Sequence, residues 1–151
     1  MEGLRYALVT GAGRGIGRAV ALRLAKDGYR ILVNFVSNVE AANQTLDEIR
    51  GLGSDGELMQ FDVADASATE AALKAWHEAH PGEYISVLVN NAGIRKDNLM
   101  MWMPAEDWHR VLSITLDGFY NVTHPLLKDM ILQKWGRIIN IVSLSGIKGM
   151  A

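Results

Sequence analysis

Four apolar residues, Tyr6-Ala7-Leu8-Val9, run directly into Thr10-Gly11-Ala12-Gly13-Arg14-Gly15-Ile16-Gly17, and this junction constrains the fold more than any other stretch. A short, continuously apolar run fits a parallel strand buried on both faces. After the glycines, Ile16, Val20 and Leu24 recur at helical spacing until Gly28, a suitable residue just past a helix end. The expected unit is a strand, a glycine turn and a helix. Glycines there remove the Cβ atoms that would hold a pyrophosphate away from the backbone, and the first free N–H groups of the helix point at the anion. A tight turn without any ligand also uses glycine, so the signal gains its force from the strand and helix on either side.

The same alternation continues along the chain. Apolar runs suited to strands recur at Ile31–Phe35, Glu57–Phe61, Ile85–Val89 and Arg137–Val142, and each gap carries a helical pattern. This predicts an α/β fold, a Rossmann-like doubly wound parallel sheet with helices on both faces, in one domain spanning residues 1–151. The second helix is expected over Val39–Leu52, ended near Gly51–Gly53. Asp65 is the N-cap of the third, which Pro81-Gly82 closes. The fourth starts at Pro104 with Glu106 and Asp107 in its first turn. Trp108, Leu112, Leu116, Phe119, Val122, Leu126 and Met130 then keep helical spacing, so one long helix with a single buried face is expected.

Composition narrows the function. A chain of 151 residues with 49% hydrophobic and 21% charged residues can build a sizeable globular core. Its net charge of −2 offers no attraction to nucleic acid or to an anionic membrane surface, so neither is expected as a partner. Without cysteine there is no disulfide framework or thiolate metal site, and His77, His80, His109 and His124 stand at no recognised metal-ligand spacing. No metal is expected. The opening residues Met1 to Arg5 lack the pattern of a signal peptide, and no apolar run approaches the length of a membrane span, so a cytoplasmic location is expected.

Three motifs together resemble the short-chain dehydrogenase/reductase family. They are Thr10-Gly11-x-x-x-Gly15-x-Gly17 after the first strand, Asp62-Val63 after the third, and Asn90-Asn91-Ala92-Gly93 after the fourth. The resemblance implies that Gly11, Gly13, Arg14, Gly15, Ile16 and Gly17 form a cofactor turn. It implies that Asp62 and Val63 meet an adenine ring, and that Asn90, Ala92 and Gly93 border the nicotinamide ribose. Within the family, Gly93 to Met101 followed by Trp108, together with Asn34-Phe35, Glu40-Ala41-Ala42 and Gly136 to Ile141, is most similar to the reductases of 3-oxoacyl thioesters on acyl carrier protein. Fatty acid synthesis, an acyl-carrier-bound or small-molecule substrate and a homo-oligomer, tetramer or dimer, are what that resemblance implies. Reductases of other alcohols, ketones or sugars share many of these positions.

Cofactor choice has its own physical reading. An enzyme choosing NAD places an acid about twenty residues past the glycines, whereas one choosing NADP supplies a cation instead. Ile31 to Val39 contains no acid, Arg14 lies within the turn, and Asn34, Ser37 and Asn38 offer neutral donors, so NADP(H) is expected. Arg14 as an ordinary solvated cation is the competing reading.

The family's chemistry uses a serine on the substrate oxygen, a tyrosine as general acid and a lysine beside it. The resemblance places the serine at Ser143, with Ser145 as its neighbour, although two serines also simply close a strand. The Tyr-x-x-x-Lys motif would lie beyond Ala151, and Tyr6, Tyr29, Tyr84 and Tyr120 stand in the wrong elements to replace it. These 151 residues are therefore expected to hold a cofactor half without turnover, either as part of a longer reductase, apparently truncated after the fifth strand, or as a non-catalytic binding or assembly module. An open flank of a parallel sheet favours the first. Thr115 stands where the family often has asparagine, and its place beside Leu112 and Phe119 predicts a buried hydroxyl bonded one turn back. Lys134 suits an acidic carrier surface or simply an exposed helix end.

Overall fold

The computed structural model describes residues 5–143 and Lys148. Five parallel strands form one sheet: β1 (Tyr6–Val9), β2 (Arg30–Phe35), β3 (Gly56–Gln60), β4 (Ile85–Asn90) and β5 (Arg137–Asn140). Their spatial order is β3-β2-β1-β4-β5, so the direction of winding reverses between β1 and β4. Such a switch point leaves a crevice outside the carboxyl ends of the strands. The doubly wound sheet expected from the alternation is the fold observed.

Between the strands lie α1 (Gly15–Lys26), α2 (Val39–Gly51), α3 (Ala66–Ala79), α4 (Ala105–Leu112) and α5 (Gly118–Leu132). Their ends follow local chemistry. Asn38 and Asp65 cap α2 and α3 by accepting from the N–H groups of Ala41 and Ala68, both at 2.9 Å. Gly28 takes φ +89°, the left-handed conformation that lets the chain leave α1 and turn into β2.

Strand alternation divides the core. Tyr6 and Leu8 point to the side where Leu73 and Trp76 of α3 and Val122, Leu126 and Met130 of α5 pack. Ala7 and Val9 point to the other side, where Ala21 and Ala25 of α1 and Ala42 and Ile49 of α2 pack. Small residues on α1 bring the glycine-turn helix close to the sheet. The expected stripe of Ile16, Val20 and Leu24 is displaced by one residue: Gly17, Ala21 and Ala25 are buried, Val20 and Leu24 pack at the margin, and Ile16 is exposed.

The long helix also differs from expectation. A π-helical turn, Ser113–Asp117, separates α4 from α5, and α4 buries none of its residues. A π turn holds more residues than an α turn, so it rotates the buried face relative to an uninterrupted helix. The buried series becomes Ile114, Gly118, Val122, Leu126 and Met130, while Trp108, Leu116 and Phe119 are exposed. Gly118 is required there, because a Cβ would lie 2.6 Å from a Val63 methyl. β5 is shorter than the expected Arg137–Val142, although the Ile141 N–H still reaches the Asn90 carbonyl at 2.9 Å.

Candidate cofactor site

The glycine turn is built at the switch point. Gly11 (φ +65°) and Gly15 (φ +56°) both adopt the left-handed region, so their glycines are needed for conformation. Gly17 is needed for space: a Cβ would stand 2.4 Å from the Gly11 carbonyl oxygen and 2.5 Å from the Asn91 amide. A Cβ on Gly15 would meet nothing within 4 Å, leaving an open cradle at the start of α1. Arg14 occupies the N-cap with extended backbone and caps nothing through its side chain, so the first-turn N–H groups stay available. These residues fit a dinucleotide phosphate.

The turn is held by partners the sequence does not advertise. The Thr10 hydroxyl accepts from the N–H groups of Asn91 and Ala92, both at 2.9 Å, while the Asn91 amide donates to the Thr10 carbonyl at 2.9 Å. The glycine turn and the Asn90-Asn91-Ala92-Gly93 segment are thereby stapled together. From α2, the buried Thr45 hydroxyl lies 3.3 Å from the Ala12 carbonyl and 3.4 Å from that of Gly13. This puts the turn against the start of α2, where Ser37 is exposed.

Asn34 requires correction. Its side chain is buried, accepting from the Gly11 N–H at 3.1 Å and donating to the Met59 and Phe61 carbonyls at 3.2 and 3.0 Å. Both of its donors are spent tying the turn to β3, so it supports the site from below and gives no donor to a ligand. Asn38 accepts from the Ala41 N–H as the α2 cap, which uses its Oδ1 and leaves its exposed side-chain NH2 as a donor. Of the expected neutral donors, Ser37 and Asn38 are the exposed ones.

At the other strand ends, Asp62 is half-buried and Val63 is buried. Asp62 accepts from the Ala64 N–H at 3.0 Å and from the Arg110 guanidinium at 2.6 Å. Burial raises its pKa, but the Arg110 hydrogen bond, the Ala64 amide and the Arg110 charge outweigh this and hold it below the usual carboxylate value. The Asn121 amide of α5 donates to the Val63 carbonyl at 2.9 Å. Neither Arg110 nor Asn121 was singled out by the sequence, since they reach this turn from 48 and 58 residues away.

Asn90 donates to the Thr123 hydroxyl at 3.1 Å and to the Asn140 side-chain Oδ1 at 3.0 Å, leaving its own Oδ1 as an acceptor. Ala92 is half-buried and Gly93 exposed. A cavity of about 250 Å³ opens beside them, lined in part by Thr10, Asn90, Thr115, Phe119, Asn140 and Val142. Thr115 is exposed on its wall, against the expectation of burial, because the π turn carries it out of the core. Ser143 is exposed just beyond β5, and Ser145 lies outside the described residues. Among the described residues no cluster of acids and histidines could hold a metal ion, and no helix is long and apolar enough to cross a membrane.

The family model for short chain dehydrogenase matches residues 5–151. The chain belongs to the short-chain dehydrogenase family. It is 46% identical over 143 residues to a 3-oxoacyl-(acyl-carrier-protein) reductase of Aggregatibacter actinomycetemcomitans, covering 94% of this chain and 58% of that protein. A 3-oxoacyl-(acyl-carrier-protein) reductase of Synechocystis is 42% identical over 145 residues, covering 96% and 58% respectively. Among solved structures, a protein described as a gluconate dehydrogenase from Agrobacterium tumefaciens superposes with a TM-score of 0.90 at 38% identity, covering 97% of this chain and 57% of that one. A gluconate 5-dehydrogenase from Burkholderia cenocepacia, solved with NADP and tartrate, gives 0.81 at 37% identity, covering 95% and 55%. This short-chain dehydrogenase sequence thus spans somewhat over half the length of the relatives it matches.

Proposed function

We propose that this chain is the cofactor-binding part of an NADP(H)-dependent reductase that converts a 3-oxoacyl thioester on acyl carrier protein to the 3-hydroxyacyl form. The observation that carries the reading is the open glycine cradle at an uncapped helix start, with exposed Arg14 at its lip. Gly13, Gly15, Ile16 and Gly17 would hold the pyrophosphate on backbone N–H groups, with Gly11 shaping the turn through its left-handed backbone. Arg14 and Ser37 would take the 2′-phosphate, Asp62 and Val63 the adenine, and Asn90, Ala92 and Gly93 the nicotinamide ribose. The bound nicotinamide supplies the hydride. Ser143 would hydrogen-bond the substrate carbonyl, where negative charge develops as hydride adds to carbon. Similarity to two acyl-carrier-protein reductases supports the thioester substrate.

A second reading, oxidation or reduction of a sugar acid, is supported by the likeness to two gluconate dehydrogenases. Both readings share the cofactor. Calorimetric titration of the 151-residue chain should show NADPH bound in preference to NADH, and R14A should cut that preference roughly tenfold, the scale of one charge-assisted contact. Equal affinity for the two nucleotides in wild type and R14A would refute the NADP(H) assignment. Neither an acetoacetyl thioester nor gluconate should be turned over by these residues alone, because none of the chain's four tyrosines stands where the general acid is needed.

A further inference from the structure

Helix α4 is an unusual support for a binding site, since none of its residues is buried. Its apolar Val111 and Leu112 are only half-buried, so charged contacts gain weight. Two ion pairs tie it down: Asp107 to Lys96 at 3.1 Å, in the segment after β4, and Arg110 to Asp62 at 2.6 Å, in the turn after β3. The second lands on the carboxylate assigned above to the adenine.

We propose that Arg110 is a positioning residue for the adenine end of the cofactor, holding the Asp62 carboxylate ionised and in one orientation. The inference rests on the cofactor reading given above. One Asp62 oxygen takes the Ala64 N–H and the other takes Arg110. A carboxylate has about four lone-pair sites, so acceptor capacity remains for an exocyclic amino group. With both oxygens anchored, that capacity is presented without the rotamer loss a free aspartate would suffer on binding. The neighbouring elements add no second charge in the same contacts. From α3 the Thr69 hydroxyl reaches the Asp62 carbonyl, from α5 Asn121 reaches the Val63 carbonyl, and the next acid in the turn, Asp65, is committed to the Ala68 N–H. Burial alone would push Asp62 toward protonation, and Arg110 opposes this.

The test is calorimetric titration of wild type, R110M and R110K with NADP+ and with 2′,5′-ADP, near neutral pH and again toward the ordinary carboxylate pKa of about 4. R110M should bind both ligands roughly threefold to tenfold more weakly at neutral pH, the scale of one orienting charged contact. The ratio of wild type to variant should widen as the pH falls, and R110K should recover part of it. Reading the ratio removes the titration of the ligand's own phosphate, which all three proteins share. A ratio of one at every pH, with wild type binding normally, would overturn the role of Arg110 and leave the cofactor reading intact. A pH-independent loss that tracks a lower unfolding midpoint of the unliganded variant would also overturn it, since that is a structural effect. Wild type binding neither ligand would overturn the cofactor reading and this inference with it.

Discussion

β3 and β5 both lie at edges of the same sheet, yet they are treated differently by the rest of the molecule. β3 reads Gly-Glu-Leu-Met-Gln and still buries Gly56 and Met59, because α2 packs against it and Met59 joins the core that α3 completes. β5 reads Arg-Ile-Ile-Asn, is more apolar, and buries none of its residues. Ile139, Ile141 and Val142 remain exposed along its length and just beyond. Apolar composition therefore does not decide burial here. Covering helices do, and among the described residues they close the β3 flank more fully than the flank that carries Ser143.

Damage where helices cover the sheet should therefore cost far more than damage at β5. The largest expected effect is G17A, which forces a Cβ into the Gly11 carbonyl at 2.4 Å. It should lower unfolding free energy in urea by about 3 kcal/mol and abolish nucleotide binding. G15A meets no neighbour and should lose only about 1 to 2 kcal/mol, for its left-handed backbone.

Next in size is N34A, which removes the acceptor of the Gly11 N–H and the amide that ties the Met59 and Phe61 carbonyls to it. A loss of about 2 to 3 kcal/mol by denaturant titration is expected, with weaker nucleotide binding because the turn loosens. I139T on β5 provides the contrast and should stay within about 0.5 kcal/mol of wild type. Equal losses from N34A and I139T would break the comparison.

Asp62 sharpens it through pH. Its folded pKa is depressed, so its contribution to stability is present above the unfolded carboxylate value of about 4 and is lost as pH falls through the lower folded value. D62N should therefore show a shallower drop in urea midpoint than wild type across that acid window. An identical acid profile would mean that the Arg110 pair is energetically idle. The smallest effect on stability is expected for V142T, on an exposed side chain, where reduced self-association in light scattering is the informative readout.

Much of this architecture could be read from local pattern. The apolar runs gave all five strands to within a residue or two, and Asp65 and Gly28 marked helix ends where they occur. The glycine turn was legible because its glycines answer to local backbone conformation and close approach. Helix faces were less legible. Ile16, Trp108, Leu116 and Phe119 sit at helical spacing yet lie exposed, because Ala21 and Ala25 approach the sheet more closely and the π turn resets the phase of the long helix. Asn34 has the position of a ligand donor in the sequence, yet its side chain lies beneath the turn and holds it.

By itself the sequence determined the order of strands and helices and the place of the glycine turn, since periodicity, capping and glycine conformation act over a few neighbouring residues. Tertiary structure alone decided which polar side chains support the turn and which are free to meet a ligand. Thr45, Asn91, Arg110 and Asn121 reach their partners across 32 to 81 residues of chain. Such pairings depend on how sheet and helices pack, and no local rule of spacing encodes them.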